Sequence, residues 1–133
     1  MTGSFSFSIY DDSLDFGEIS TLLHTPPSSV IKKGEKLKRG STVAPYDSWH
    51  LQEKFQGDGV DEAALVLLLQ KLTPFQKEIA YLQQKYQNVI LNTYLQSNFG
   101  QVGFNLSAET IRQLSLTGLE MGIHILSYGG VEE

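Results

Sequence analysis

Residues 4–9 read Ser-Phe-Ser-Phe-Ser-Ile, an unbroken alternation with Phe5, Phe7 and Ile9 on one side and Ser4, Ser6 and Ser8 on the other. Successive side chains of a strand point to opposite faces. Period 2 with aromatic and β-branched residues therefore predicts a strand with one buried face and one polar face. A sheet begun this way needs a second layer on its apolar side.

The rest of the chain supplies that layer. Asp15 can cap a helix, with Glu18 completing an Asp variant of the capping box, and Phe16, Ile19, Leu22 and Leu23 follow at helical spacing. The run His24-Thr25-Pro26-Pro27 ends it, because a residue before proline is pushed out of the α region. Val30 and Ile31 suit a short edge strand. Trp49, Leu51 and Phe55 predict a further strand, broken by Gly57-Asp58-Gly59. Asp58 is the expected cap of a helix over Val60–Leu72 with Leu65, Leu68, Leu69 and Leu72 as its stripe. Pro74, welcome at a first helical position, divides this from a second helix or sharp kink carrying Phe75, Ile79, Leu82 and Tyr86, with Thr73 and Gln76 as its capping box. Asn88–Leu95 reads as a strand, Ser97–Gly100 as a turn and Gln101–Leu106 as the matching strand. Ser107 caps a last helix with Ile111 and Leu114 that ends near Gly118. Met121, Ile123 and Ile125 form a final strand. The order is β-α-β-β-α-β-β-α-β, an α+β fold: a mainly antiparallel sheet with helices packed on one face.

At 133 residues the chain is expected to be one domain, residues 1–133. Its 41% hydrophobic and 19% charged residues fit neither a disordered nor a membrane-spanning segment, and the longest apolar run, Ala63–Leu69, cannot cross a bilayer. The N-terminus has no basic start, apolar stretch or small-residue cleavage site of a signal peptide. With no cysteine, thiolate metal sites, iron–sulfur ligation, disulfides and cysteine nucleophiles are excluded. The expected location is cytoplasmic.

Several stretches resemble a family of small bacterial proteins catalogued as a domain of unknown function, number 4279. They are Phe7-Ser8-Ile9-Tyr10-Asp11-Asp12-Ser13-Leu14-Asp15, Glu18–Leu23, Pro27 with the Lys33-Gly34-Glu35 turn, Trp49-His50-Leu51, Gly103–Ser107 with Ile111, Leu114 and Gly118, and the terminal Ile-x-Ile strand. Gly17 stands where the family pattern suggests proline, and His24-Thr25 where glycine is commoner. The resemblance implies a stand-alone domain of unknown activity and no catalytic residues.

The residues themselves carry no catalytic motif. His24, His50 and His124 have no metal-ligand spacing, and no metal or cofactor is expected. Asp11, Asp12, Asp15 and Glu18 lack the ordering of a calcium loop, and capping with the helix dipole already explains carboxylates at a helix start. There is no Gly-x-Ser-x-Gly elbow or Ser-x-x-Lys. Half of the ten Lys and Arg residues fall in Lys32–Arg39. Lys33, Lys36 and Arg39 there could contact an anion or acidic protein, although lysines guarding a sheet edge is the simpler account. A net charge of −5 disfavours nucleic acid. On an alternating sheet, His50 and His124 point to the polar face, where Tyr94 would join them in a polar–aromatic surface. The expected function is a non-enzymatic protein-interaction or binding module, with another protein or a dimer mate as partner. The alternative is a small-molecule sensor or enzyme using the face around His50 and His124.

Overall fold

A computed structural model describes residues 1–37, 42–100 and 102–130, with the backbone alone described at 99 and 128–130. Five strands form one sheet in the order β2-β3-β1-β4-β5. Strand β1 (Thr2–Asp11) is central and pairs antiparallel with β3 (Asp47–Gln56) and with β4 (Asn88–Phe99). The short β2 (Ser29–Ile31) closes one edge against β3, and β5 (Met121–Gly130) forms the other edge, parallel to β4. The sheet is thus mostly antiparallel and the fold α+β.

The alternation of residues 4–9 sets the layers. Phe5, Phe7 and Ile9 are fully buried and meet Trp49, Leu51, Phe55, Leu91 and Leu95 of the neighbouring strands. Helices α1 (Phe16–Leu23), α2 (Glu62–Leu72) and α3 (Gln76–Lys85) cover this face with Ile19, Leu23, Leu65, Leu68, Leu72, Ile79 and Leu82. Each such fully buried side chain contributes about 1.5–3 kcal/mol of transfer free energy. The Trp49 ring meets Phe7 edge-on at 6.0 Å, and its Nε1 donates to Ser20 Oγ at 3.2 Å, so the one polar atom of the indole is satisfied inside the core.

The helix ends obey local chemistry. Asp15 Oδ1 accepts from Glu18 N at 3.0 Å, and Ser107 Oγ from Thr110 N at 3.2 Å at the start of α4 (Ala108–Leu116), both as expected. His24 closes α1 in the left-handed region at φ 53°, the conformation for which glycine would be the ordinary choice, and its ring stacks on Phe75.

Three expectations are corrected. Asp61, not Asp58, caps α2, accepting from Ala63 N at 3.0 Å, because the helix starts two residues later than Val60. Thr73 does not cap a second helix: α2 passes through a 3₁₀ turn (Thr73–Phe75) straight into α3, and the side chain of Gln76 donates to the Thr73 carbonyl instead. Val102–Leu106 form no strand. The expected turn at Ser97–Gly100 is taken up by β4 itself, which continues to Phe99 with a bulge, and β5 occupies the place beside it. Val102, Phe104 and Leu106 pack half-buried against the core without a ladder partner.

Candidate functional site

Because the register is regular, the even-numbered residues of β1, β3, β4 and β5 share the face without helices. His50 pairs with Ser8, and Tyr94 pairs with Ser4 on one side and His124 on the other. The three residues expected on a polar–aromatic face are therefore on one face. They are joined by a fourth, Tyr10. Its ring meets His50 edge-on at 5.5 Å and Tyr46 at 5.5 Å, and its hydroxyl lies near that of Tyr94. Tyr94 in turn stacks on His124, with 4.9 Å between centroids and 17° between planes.

Beneath this band lies a buried polar rail. Ser6 and Ser8 share a hydrogen bond of 2.9 Å, Ser8 Oγ lies 2.8 Å from His50 Nδ1, and Ser48 Oγ lies 3.0 Å from His50 Nε2. Ser6, Ser8 and Ser48 are nearly sealed from solvent. Burial also pushes the His50 imidazole below its ordinary range, so the ring is held neutral, with one nitrogen donating and the other accepting. The Ser8–His50 distance suits a nucleophile and its base. Yet Ser8 is fully buried, and a hydroxyl rather than a carboxylate holds the far nitrogen. In this arrangement the pair binds the strands together and presents no nucleophile to a substrate.

The second half of the face is built around Asn92 and Gly122. Asn92 Oδ1 lies 3.1 Å from His124 Nε2, which must donate to it. Gly122 stands opposite Asn92, and a Cβ there would come within 2.5 Å of the same oxygen, so the glycine makes room for the bond. Burial, followed by the nearby Tyr10 hydroxyl, pushes the Tyr94 hydroxyl up to about 12. Both rings are fixed.

Next to them the face opens into a trough of about 730 Å³. Two rungs of the sheet line it: Thr2, Gln56, Gln96 and Leu126, then Ser4, Lys54, Tyr94 and His124. Lys54 was not singled out from the sequence, nor were Tyr10, Ser6, Ser8 or Asn92. The available signal was parity, since the alternation that places Phe5 and Phe7 in the core places the serines beside His50.

The basic segment lies elsewhere, beyond edge strand β2. Lys36 forms an antiparallel bridge with Val43 and is exposed. Lys33 is ion-paired with Asp12, which raises the pKa of its ammonium. Its backbone N–H donates to Asp47 at 2.7 Å, holding that carboxyl below the usual range together with Leu14 N. Arg39 lies outside the described residues. The acidic cluster is engaged as well: Asp11 accepts from Gln87 N, Asp15 caps α1 and Glu18 pairs with Lys85. Among the described residues no group of three His, Asp or Glu could hold a metal, and no helix is long and apolar enough to cross a membrane.

A family model described as a domain of unknown function, DUF4279, matches residues 1–128. The chain belongs to this family. No curated protein and no solved structure matches it. The residues on which the resemblance rested divide between the two faces of this DUF4279 sheet: Phe7, Ile9, Trp49 and Leu51 build its core, whereas Ser8, Tyr10 and His50 belong to the rail and its aromatic roof.

Proposed function

We propose that the chain is a non-enzymatic protein-interaction module, one domain over residues 1–133, that associates with a second copy of itself along β5. The observation behind this reading is the exposure of β5 on both faces. Ile123 and Ile125, on the helix side, are 52% and 53% exposed, and Leu126, on the open side, is 55% exposed. Among the described residues no strand pairs with the outer edge of β5, so backbone donors and acceptors of residues 121–126 stand beside apolar side chains. That combination is a template for strand pairing.

Charge favours a second copy as the occupant. Two molecules of net charge −5 repel one another, but Met121–Gly130 contains no Asp, Glu, Lys or Arg. An antiparallel β5–β5 contact about a two-fold axis would be isologous, would oppose no like charges within the strand and would continue the sheet from five strands to ten. The opposite edge is protected in both usual ways: β2 has three residues, and Lys32, Lys33 and Lys36 follow it.

Size-exclusion chromatography with light scattering tests the reading. The chain should run as a dimer, and Ile125→Lys as a folded monomer with an unchanged circular dichroism spectrum. A wild-type monomer at concentrations well above micromolar, or a dimer that ignores Ile125→Lys, overturns it.

A further inference from the structure

The trough on the open face takes one wall from β5 through His124 and Leu126, and four observations give it a chemistry of its own. Its volume, about 730 Å³, lies within the range of small-molecule sites, roughly 300–1,000 Å³. Among the described residues no carboxylate lines it, although the chain carries 15 Asp and Glu residues. One ammonium does: Lys54, which is exposed and makes no ion pair among the described residues, whereas Lys33, Lys71 and Lys85 are each paired. Lastly, one wall is the stacked pair Tyr94 and His124, with the His124 ring held by Asn92 and apolar Leu126 beside it. A fixed aromatic wall recognises a flat ring at little entropic cost, and an unpaired lysine with neighbouring hydroxyls recognises an anion.

The separation of the two features sets the ligand's shape. Lys54 and Tyr94 flank Ser4 on opposite sides. Neighbouring strands are about 4.8 Å apart, so ring and anion subsites are about 10 Å apart across β1. Ser4 offers only a hydroxymethyl between them, leaving the floor low.

We infer that the trough binds a small ligand with a planar ring at one end and a carboxylate or phosphate at the other. The ring lies against Tyr94 and His124. The anion is held by Lys54, with the Thr2 and Ser4 hydroxyls as further donors. His124 Nε2 is committed to Asn92, which leaves Nδ1 as the ring nitrogen that can meet a ligand. The ligand enters from the face of the sheet, whereas a second copy would pair along the outer edge of β5.

Isothermal titration calorimetry with adenosine 5′-monophosphate and with indole-3-acetate separates a phosphate from a carboxylate ligand. Adenosine, indole and inorganic phosphate serve as half-ligands. At least one ring-bearing anion should bind at sub-millimolar Kd, and each of its halves at least about tenfold more weakly. Lys54→Gln should weaken the complex about tenfold or more, the loss expected of a charge-assisted hydrogen bond. Tyr94→Leu should weaken adenosine or indole along with the whole ligand and leave phosphate alone unaffected. Neither variant alters a residue of β5 and both should keep the oligomeric state of the wild type, so this test fails or succeeds apart from the dimer. Absence of binding by both ring-bearing anions at millimolar concentration overturns the inference. So does equal binding of adenosine or indole, or a Lys54→Gln protein that binds as the wild type does.

Discussion

Thr93 sits in the middle of β4 on the helix-covered face, fully buried, between Phe5 of β1 and Ile123 of β5 in the register. Among the described residues its Oγ1 has no hydrogen-bond partner. A buried hydroxyl in this state forfeits its hydration without compensation, at about 1–3 kcal/mol. Thr93→Val replaces that oxygen with a methyl group of nearly the same shape, keeps the β-branched side chain a strand prefers, and adds apolar contact with Phe5. The variant should be more stable by about 1–2 kcal/mol. For a chain of this length the unfolding entropy near the midpoint is about 0.28 kcal/mol/K, so Tm should rise by about 4–7 °C. Urea unfolding followed by tryptophan fluorescence is a suitable assay, since Trp49 is fully buried, and an unchanged m-value would assign the gain to stability alone. Thr93→Ala is the control. It also removes the unpartnered hydroxyl but leaves a void, and should be no more stable than the wild type. A Thr93→Val protein less stable than the wild type would mean that the hydroxyl has a partner, and would refute this reasoning.

Two further outcomes concern the open face. Gly122→Ala should destabilise the fold by about 1–2 kcal/mol, because the new methyl displaces the buried Asn92 amide from His124. Gly57→Ala, with nothing within 4 Å of its added carbon, should be near neutral, and equal effects of the two in urea unfolding would contradict the account of Gly122. The His50 imidazole, lowered by burial, resists a proton that the unfolded chain accepts near pH 6.5. Its contribution is therefore complete above about pH 6.5 and is lost as the pH falls from there toward the depressed native value. Denaturation midpoints measured between pH 7.5 and 5 should decline in the wild type and decline less in His50→Gln, and identical slopes would count against a neutral buried ring.

Much of the architecture was legible in the sequence because period 2 and period 3.6 rarely mimic each other over six or more residues. The serine–phenylalanine alternation of β1, the Asp15 and Ser107 caps and the leucine stripe of α2 are local signals, and each formed as expected. The stretch from Ser97 to Leu106 was misread for a physical reason. Ser-Asn-Phe-Gly has the composition of a turn, and Val102, Phe104 and Leu106 alternate like a strand, but which segment lies beside β4 is decided by long-range pairing, and the crossover through α4 delivers β5 there. Parity was enough to place His50, Tyr94 and His124 on one face. It could not reveal that Tyr10 bridges them, since that depends on two tyrosine side chains leaning toward each other along the sheet. Nor could parity foresee that Ser6 and Ser8 would be sealed beneath the rings. The trough at Lys54 was invisible for the same reason: it exists only where four strands come into register.

The pairing of β5 with a second copy is tested most directly by amide hydrogen exchange measured residue by residue over a range of protein concentrations. The backbone N–H groups of β5 that point away from β4 should exchange quickly in dilute solution and become protected as concentration rises, while those of β2 and β3 stay unchanged. Fast exchange along the outer side of β5 at every concentration, or protection that grows at β2 instead, would contradict the account.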